Sequence, residues 1–316
     1  MCGPNAIDTD HALTVQADTL SAVYAVQSEA LHTALSYDCT DFGQKNYCVT
    51  GGVHYGSVPG SAEASSVLLS GAYKINPSLS VGAYLNQVIS SSTVTGAVMN
   101  NNSPLFSVFG DWAQSGGDTG LKAHVAGGYN QTNLKLTRTA ISTGFFFSEP
   151  GYGHADLNTY GFSGVVTYGV PLNEGWLATP YAGLEYTNIT RDAYTEQTST
   201  SVTDPLTFNK LVDGATTAVG GVSVKKKFTP RLTLNASAGA EFDLARDAGT
   251  DAATSTLGST TARFDADARR FRGTASFGGA FETLPNQAIV AGVTYREESF
   301  DGVNTVGVTA AYQIGF

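Results

Sequence analysis

NTVGVTAAYQIGF, residues 304–316, alternates without a break. Val306, Val308, Ala310, Tyr312, Ile314 and Phe316 fall on one face, and Thr305, Gly307, Thr309, Ala311, Gln313 and Gly315 on the other. A period of two marks a strand, here with every large apolar side chain on one side. A half-buried strand of a soluble sheet would read the same, so the fold turns on whether the pattern recurs. It does. Leu232, Leu234, Ala236, Ala238, Ala240, Phe242 and Leu244 oppose Thr233, Asn235, Ser237, Gly239, Glu241 and Asp243. Phe271, Ala275, Phe277 and Phe281 oppose Arg272, Thr274 and Ser276, and Leu121, Val125 and Tyr129 oppose Lys122, His124 and Asn130. The polar faces repeatedly carry charges and small residues, which belong in a wet lumen and not in a dry sandwich core.

Twelve such segments can be read, at about 47–58, 64–75, 78–90, 104–114, 120–137, 156–170, 176–194, 214–228, 230–245, 269–282, 287–300 and 304–316. Several exceed the roughly 9–11 residues a tilted strand needs to cross a bilayer. Short connections around Pro77, Gly116, Glu174, Pro230 and Pro285 alternate with longer ones, at 90–103, 139–155, 197–213 and 247–268. Two further outer connections, near 58–63 and 301–303, are short. Tight turns on one rim and long polar loops on the other are the asymmetry of an outer-membrane barrel. Tyr73, Trp112, Tyr168, Trp176, Phe228 and Phe281 cluster beside the short turns, where an aromatic ring would sit at a membrane–water interface.

Composition agrees. The 316 residues contain 14% charged residues and 36 Gly, against roughly 25% charged residues in an average soluble domain. Mean hydropathy is −0.05, and no apolar run is long enough for a membrane-spanning helix. An apolar content of 42% argues against disorder. The net charge of −10 and the isolated Lys225–Lys227 run exclude a nucleic-acid surface as a reading. The first residues carry neither a basic n-region nor an apolar h-region, so the sequence is expected to be a piece of a longer precursor.

Residues 10–37 follow a different rule. Leu13, Leu20, Tyr24, Leu31 and Leu35 recur at steps of seven and four, with Ala22, Ala25 and other alanines between them and no Lys or Arg. This predicts a slim helix, capped by Thr9 or Asp10. About 28 residues would span roughly 40 Å, enough for a bilayer-sized pore. Its Gln16, Asp18, Gln27 and Glu29 suit a lumen better than lipid; a helix packed on a soluble domain is the other reading. Cys39 and Cys48 bracket a short segment and could pair in an oxidising compartment, or remain two free thiols.

The chain resembles the C-terminal translocator domain of monomeric autotransporters of type V secretion. The resemblance rests on Pro180–Tyr186 (PYAGLEY), Ala193–Glu196 (AYTE), Arg270–Gly273 (RFRG) and the terminal Ala311–Phe316 (AYQIGF), in that order and over nearly the whole chain. It implies an all-β fold: a twelve-stranded antiparallel transmembrane β-barrel with an N-terminal α-helix threaded through the lumen. Residues 1–38 would be linker and pore-threading helix, and 39–316 the barrel. The helix, with Leu13, Leu20, Ala22, Tyr24, Ala25 and Leu31 inside the pore, would be the tail of an exported N-terminal passenger. Tyr312, Ile314 and Phe316 would be the signal read by the barrel-assembly machinery. The protein would sit in the outer membrane of a Gram-negative bacterium as a monomer, among outer-membrane lipids, with long loops extracellular and the C-terminus periplasmic. Some members cut the helix at an Asn-Asn pair. No Asn lies between residues 10 and 37, so no catalytic residue is carried over.

Other chemistry is sparse. None of the five histidines lies at metal-ligand spacing, and no cofactor motif is present. Glu185 and Glu241, inward by parity, are expected to be lumen charges paired with Arg272 or solvated. Two alternatives remain: a stand-alone outer-membrane channel, which needs an open lumen, and a barrel hydrolase, for which His154 in a long loop is the one candidate.

Overall fold

The computed structural model describes residues 6–93, 96–100, 103–143, 146–256, 258–263 and 269–316; Cys2 lies outside them. Twelve strands form the wall. They are β1 (Tyr47–Val58), β2 (Ala62–Asn76), β3 (Leu79–Thr93), β4 (Leu105–Ala113), β5 (Gly120–Arg138), β6 (Gly151–Pro171), β7 (Trp176–Arg191), β8 (Leu211–Lys227), β9 (Leu232–Ala248), β10 (Phe271–Leu284), β11 (Gln287–Glu297) and β12 (Asn304–Gly315). Each pairs antiparallel with its sequence neighbours. The last closes on the first, with Cys48 opposite Gly315 and Ser57 opposite Val306, so the sheet has no free edge.

Parity divides the wall as expected. On β12, Thr305 and Gln313 are buried inward while Val308, Tyr312 and Phe316 face out. Outward apolar side chains such as Val53, Leu69, Val125, Phe162, Leu184 and Phe277 stay 53–60% exposed. A soluble protein would not leave so continuous an apolar belt uncovered. Aromatic pairs mark its lower edge: Tyr47 with Tyr73 at 4.9 Å and Trp176 with Phe228 at 6.1 Å. Lys226 lies 4.8 Å from the Trp176 ring. The tight turns at this rim use positive φ, at Glu174 (60°), Gly175 (75°) and Asn286 (59°), which suits two-residue hairpins.

The strands rise unequally. β6 has 21 residues and β5 has 19, at about 3.3 Å per residue far more than a hydrocarbon core needs. On β6 the outward residues pass from Tyr168, Val166 and Phe162 to Asn158, Asp156 and His154, so its upper part leaves the apolar belt. There the long connections are not bare loops, as the sequence suggested. Tyr194–Thr195, Thr207–Phe208, Thr250–Ser255 and Gly258–Arg263 form a separate four-stranded sheet, and Ala97–Asn100 pairs with upper β5. Short strands carry weak periodicity, which is why they were not legible.

Helix α1 (Ala6–Ser36) runs inside the barrel. It begins before Thr9 and Asp10, which are therefore helical residues and not caps. Its other end has no basic residue in the last turn, and the barrel supplies the missing partners. Ser107 donates to the Ala34 carbonyl at 2.9 Å, and His124 Nε2 to that of Leu35 at 2.8 Å. These satisfy carbonyls that a helix end leaves open.

Candidate functional site in the barrel lumen

The helix is closed in by its surroundings from Leu20 to Leu35, whereas one side of its N-terminal half, with Ile7 and Val15, stays exposed. Leu13, Leu20, Tyr24, Ala25 and Leu31 are fully buried, and Ala22 is 4% exposed. Small inward residues on the strands make the space. Gly128 on β5 and Gly161 on β6 are cross-strand partners, and both meet the Leu31 side chain: a Cβ would lie 3.3 Å and 3.0 Å from its methyl carbons.

The polar side chains deep in the helix meet partners on the wall and in the loop layer above it, as burial requires. Gln16 donates to the Tyr194 hydroxyl at 2.9 Å, and Gln27 reaches Met99 sulfur at 3.4 Å. Ser28 Oγ accepts from Arg296 at 2.9 Å. Glu29 Oε2 meets His54 Nε2 at 3.0 Å, and the far His54 nitrogen meets Thr309 Oγ1 at 3.0 Å. His32 Nδ1 lies 2.8 Å from Glu185. The helix N-terminal half reaches the long-loop layer, where Thr260 donates to Asp10 at 2.6 Å.

The expected charges are inward, but their pairing differs in part. Arg272 holds Asp243 at 2.7 Å and Glu241 at 3.2 Å. Glu185 instead takes His32 from the helix, because it sits on β7, away from the β9–β11 wall. Arg296 completes the network, 2.8 Å from Glu241 and 3.0 Å from Glu298. The sequence reading missed Arg296, His54 and His32. Strand parity would have placed the first two inward, whereas nothing in a helix sequence names the wall it faces. His154, the one candidate for a hydrolase, stands on the outward face of β6 against the Tyr152 ring at 5.2 Å. Among the described residues no cluster of metal-ligating side chains occurs.

Below the helix's midpoint the packing opens. A cavity of about 660 Å³ lies between its C-terminal half and the β6–β11 wall, lined by His32, Trp112, Tyr181, Glu185, Glu241 and Arg296 and reaching the turn rim at Pro77 and Gly117. At that rim Cys39 and Cys48 come together with Cα atoms 5.9 Å apart, bonded through sulfur. The C-terminus closes the seam. Phe316 N–H donates to Tyr47 at 2.9 Å, and its carbonyl accepts from Lys45 at 2.7 Å.

A closed twelve-stranded barrel with a helix through it is one architecture, and the sequence carries its family mark: residues 52–296 match the family model described as the autotransporter beta-domain. The chain belongs to that family. Among solved structures, the translocator domain of autotransporter NalP from Neisseria meningitidis is similar over 96% of this chain and 99% of that one. The identity is 20% and the TM-score 0.66. The beta domain of the Bordetella autotransporter BrkA is similar over 86% of this chain and 99% of that one, at 10% identity and a TM-score of 0.53. At these identities the likeness speaks to fold alone. No curated protein matches the chain in sequence. The autotransporter β-domain is thus an integral outer-membrane translocator, here with a helix inside its barrel.

Proposed function

We propose that the turn rim is periplasmic and the long-loop rim extracellular, and that α1 is the tail of a passenger left in the pore after export. One observation carries this: a 31-residue helix lies within a closed wall, its N-terminal half among the long loops and its C-terminal end joined to β1 at the turn rim. A chain leaving through the barrel would end in that posture. The low charge of the helix, without Lys or Arg, suits passage through a lumen lined by Glu and Arg side chains. Arg272, Arg296, Glu241, Asp243 and Glu298 are engaged in ion pairs with one another, and Glu185 and His54 face helix side chains, which supports a conduit. The continuous outward belt supports a monomer in lipid.

Orientation is testable with a membrane-impermeant maleimide on intact cells, in a Cys2→Ser background. Ser201→Cys in the loop layer should label directly, and Gly117→Cys at a turn only once the outer membrane is permeabilised. Cys39 and Cys48, bonded to each other in this proposal, should label in neither case until reduced. The opposite labelling order would invert the proposed topology.

The terminal strand is proposed as the handle for the barrel-assembly machinery. Tyr312, Ile314 and Phe316 project from the wall, with Phe316 half exposed, so an outside partner can grip them while the strand's free edge is still unpaired. Replacing Phe316 with Ser should lower the amount of heat-modifiable barrel in the membrane without changing synthesis. Wild-type levels of folded barrel would remove this role from Phe316.

A further inference from the structure

Glu29 is a carboxylate buried to 4% exposure in the middle of a membrane-embedded barrel, and its surroundings are built around it. Gly56 on β1 and Gly307 on β12 are cross-strand partners at the closing seam, and His54 with Thr309 is the next inward pair. A Cβ on either glycine would collide with the Glu29 carboxylate. At Gly56 the nearest atoms are those of the Glu29 carboxylate, followed by the His54 ring at 3.6 Å; at Gly307 the Thr294 hydroxyl would be in the way as well. The two glycines form a notch whose size is set by one helix side chain, and His54 closes its side. Thr33, one turn on, donates to the other carboxylate oxygen at 3.2 Å.

The opposite wall has a second notch. Gly128 and Gly161 receive Leu31, which stands about 200° around the helix from Glu29 and about 3 Å along it. The helix is therefore gripped at one level from two sides, by a charged side chain in one notch and an apolar one in the other. A slide by one turn would carry Glu29 out of the notch and leave a buried carboxylate without its imidazole, which is costly.

We propose that Glu29 and Leu31, seated in the Gly56–Gly307 and Gly128–Gly161 notches, form a two-sided detent that sets the register at which the exported chain stops. This rests on the reading of α1 as a passenger tail in the pore. Glu29 and Leu31 are positioning residues. Half of the detent lies on β1 and β12, whose pairing closes the barrel, so it engages only in the closed state.

The test reads register directly, in full-length chain with the Cys39–Cys48 bond kept and Cys2→Ser. Gln27→Cys with Met99→Cys should cross-link in the native register, since the two side chains touch. Val23→Cys or Ala30→Cys with Met99→Cys reports a slip of one turn, about 5.4 Å. Adding Gly56→Ala should lower the native cross-link by about fivefold or more and raise a slipped one, as expected for overpacking a filled site. Glu29→Asp, one methylene shorter, should restore the native cross-link in the Gly56→Ala background. In a Glu29→Ala helix, which leaves every strand untouched, Gly56→Ala should have no further effect. An unchanged native cross-link in Gly56→Ala would overturn the detent while leaving the threaded helix in place. So would a Gly56→Ala effect that persists without Glu29. If the parent pair itself fails to cross-link in heat-modifiable barrel, the threaded helix falls and the detent with it.

Discussion

Deleting residues 6–36 converts a barrel that conducts little in planar bilayers into one with large, steady openings, and lowers its thermal stability in detergent. The cavity beside the helix reaches the turn rim but stops at the level of Glu241 and Arg296. Above that level Leu13, Leu20, Val23 and Tyr24 leave no exposed surface. Removing the helix frees a channel about 10–12 Å across, the diameter of a helix with its side chains. Each large apolar side chain so buried is worth about 1.5–3 kcal/mol against water, so the loss runs to several kcal/mol. The wall itself should persist, because its backbone hydrogen bonds run between strands. Heat-modifiable migration should survive while the transition moves down. Unchanged conductance in the deleted barrel would mean that the helix does not occlude the pore. A smaller perturbation should follow a bulky side chain at Ala22 or Ala25, both closed in by the wall, at about 1–3 kcal/mol.

The barrel was legible because lipid and lumen impose opposite demands on alternate residues, and that contrast survives in every long strand. Twelve strands, the closing pair and the rim asymmetry all follow from it. Strand ends were less legible: β6 begins at Gly151, not near 156, because its upper residues have left the membrane and lost the contrast. The helix was legible from Leu spacing and alanine content, and its place in the lumen from its small side chains and from Gln16, Asp18, Gln27 and Glu29, which suit lipid poorly. What the sequence could not yield was which wall residue meets which helix residue. Glu185 and Arg272 are both inward charges, yet one pairs with His32 and the other with Asp243 and Glu241. The choice depends on the angle at which the helix sits, a property of the assembled lumen. The Gly56–Gly307 and Gly128–Gly161 notches are hidden for the same reason, since a glycine in a strand pattern does not name the side chain it admits.

Arg191→Ala should produce the largest single-residue loss outside the helix, and it should be confined to the loop layer. Arg191 ends β7 fully buried. Its guanidinium lies 3.0 Å from Asp251, also fully buried, and beside the stacked Tyr194 and Phe208 rings, 5.1 and 5.4 Å from their centroids. A further nitrogen donates to the Asn209 carbonyl. Its backbone N–H donates to the Tyr24 hydroxyl at 3.1 Å, so the same residue ties the helix to the loops. Truncating one member of a buried pair costs about 3–5 kcal/mol because the other charge is stranded. The loop sheet should then become protease-sensitive while the barrel stays heat-modifiable. The pH dependence follows from Asp251. Burial pushes its carboxyl above the usual range and Arg191 only partly pulls it back; without Arg191 it rises further. Its value in the unfolded chain is about 3.9, so the folded variant binds the proton more tightly. Stability is therefore lost as pH rises from about 3.9 through the raised value, and regained as pH falls back through that window. The defect should be greatest at neutral pH and should shrink in mild acid. Replacing both partners, Arg191→Met with Asp251→Leu, strands no charge and should restore much of the protease resistance. A double variant as sensitive as Arg191→Ala would show that the contact of the guanidinium with the stacked rings, and not the ion pair, holds the loop layer onto the helix.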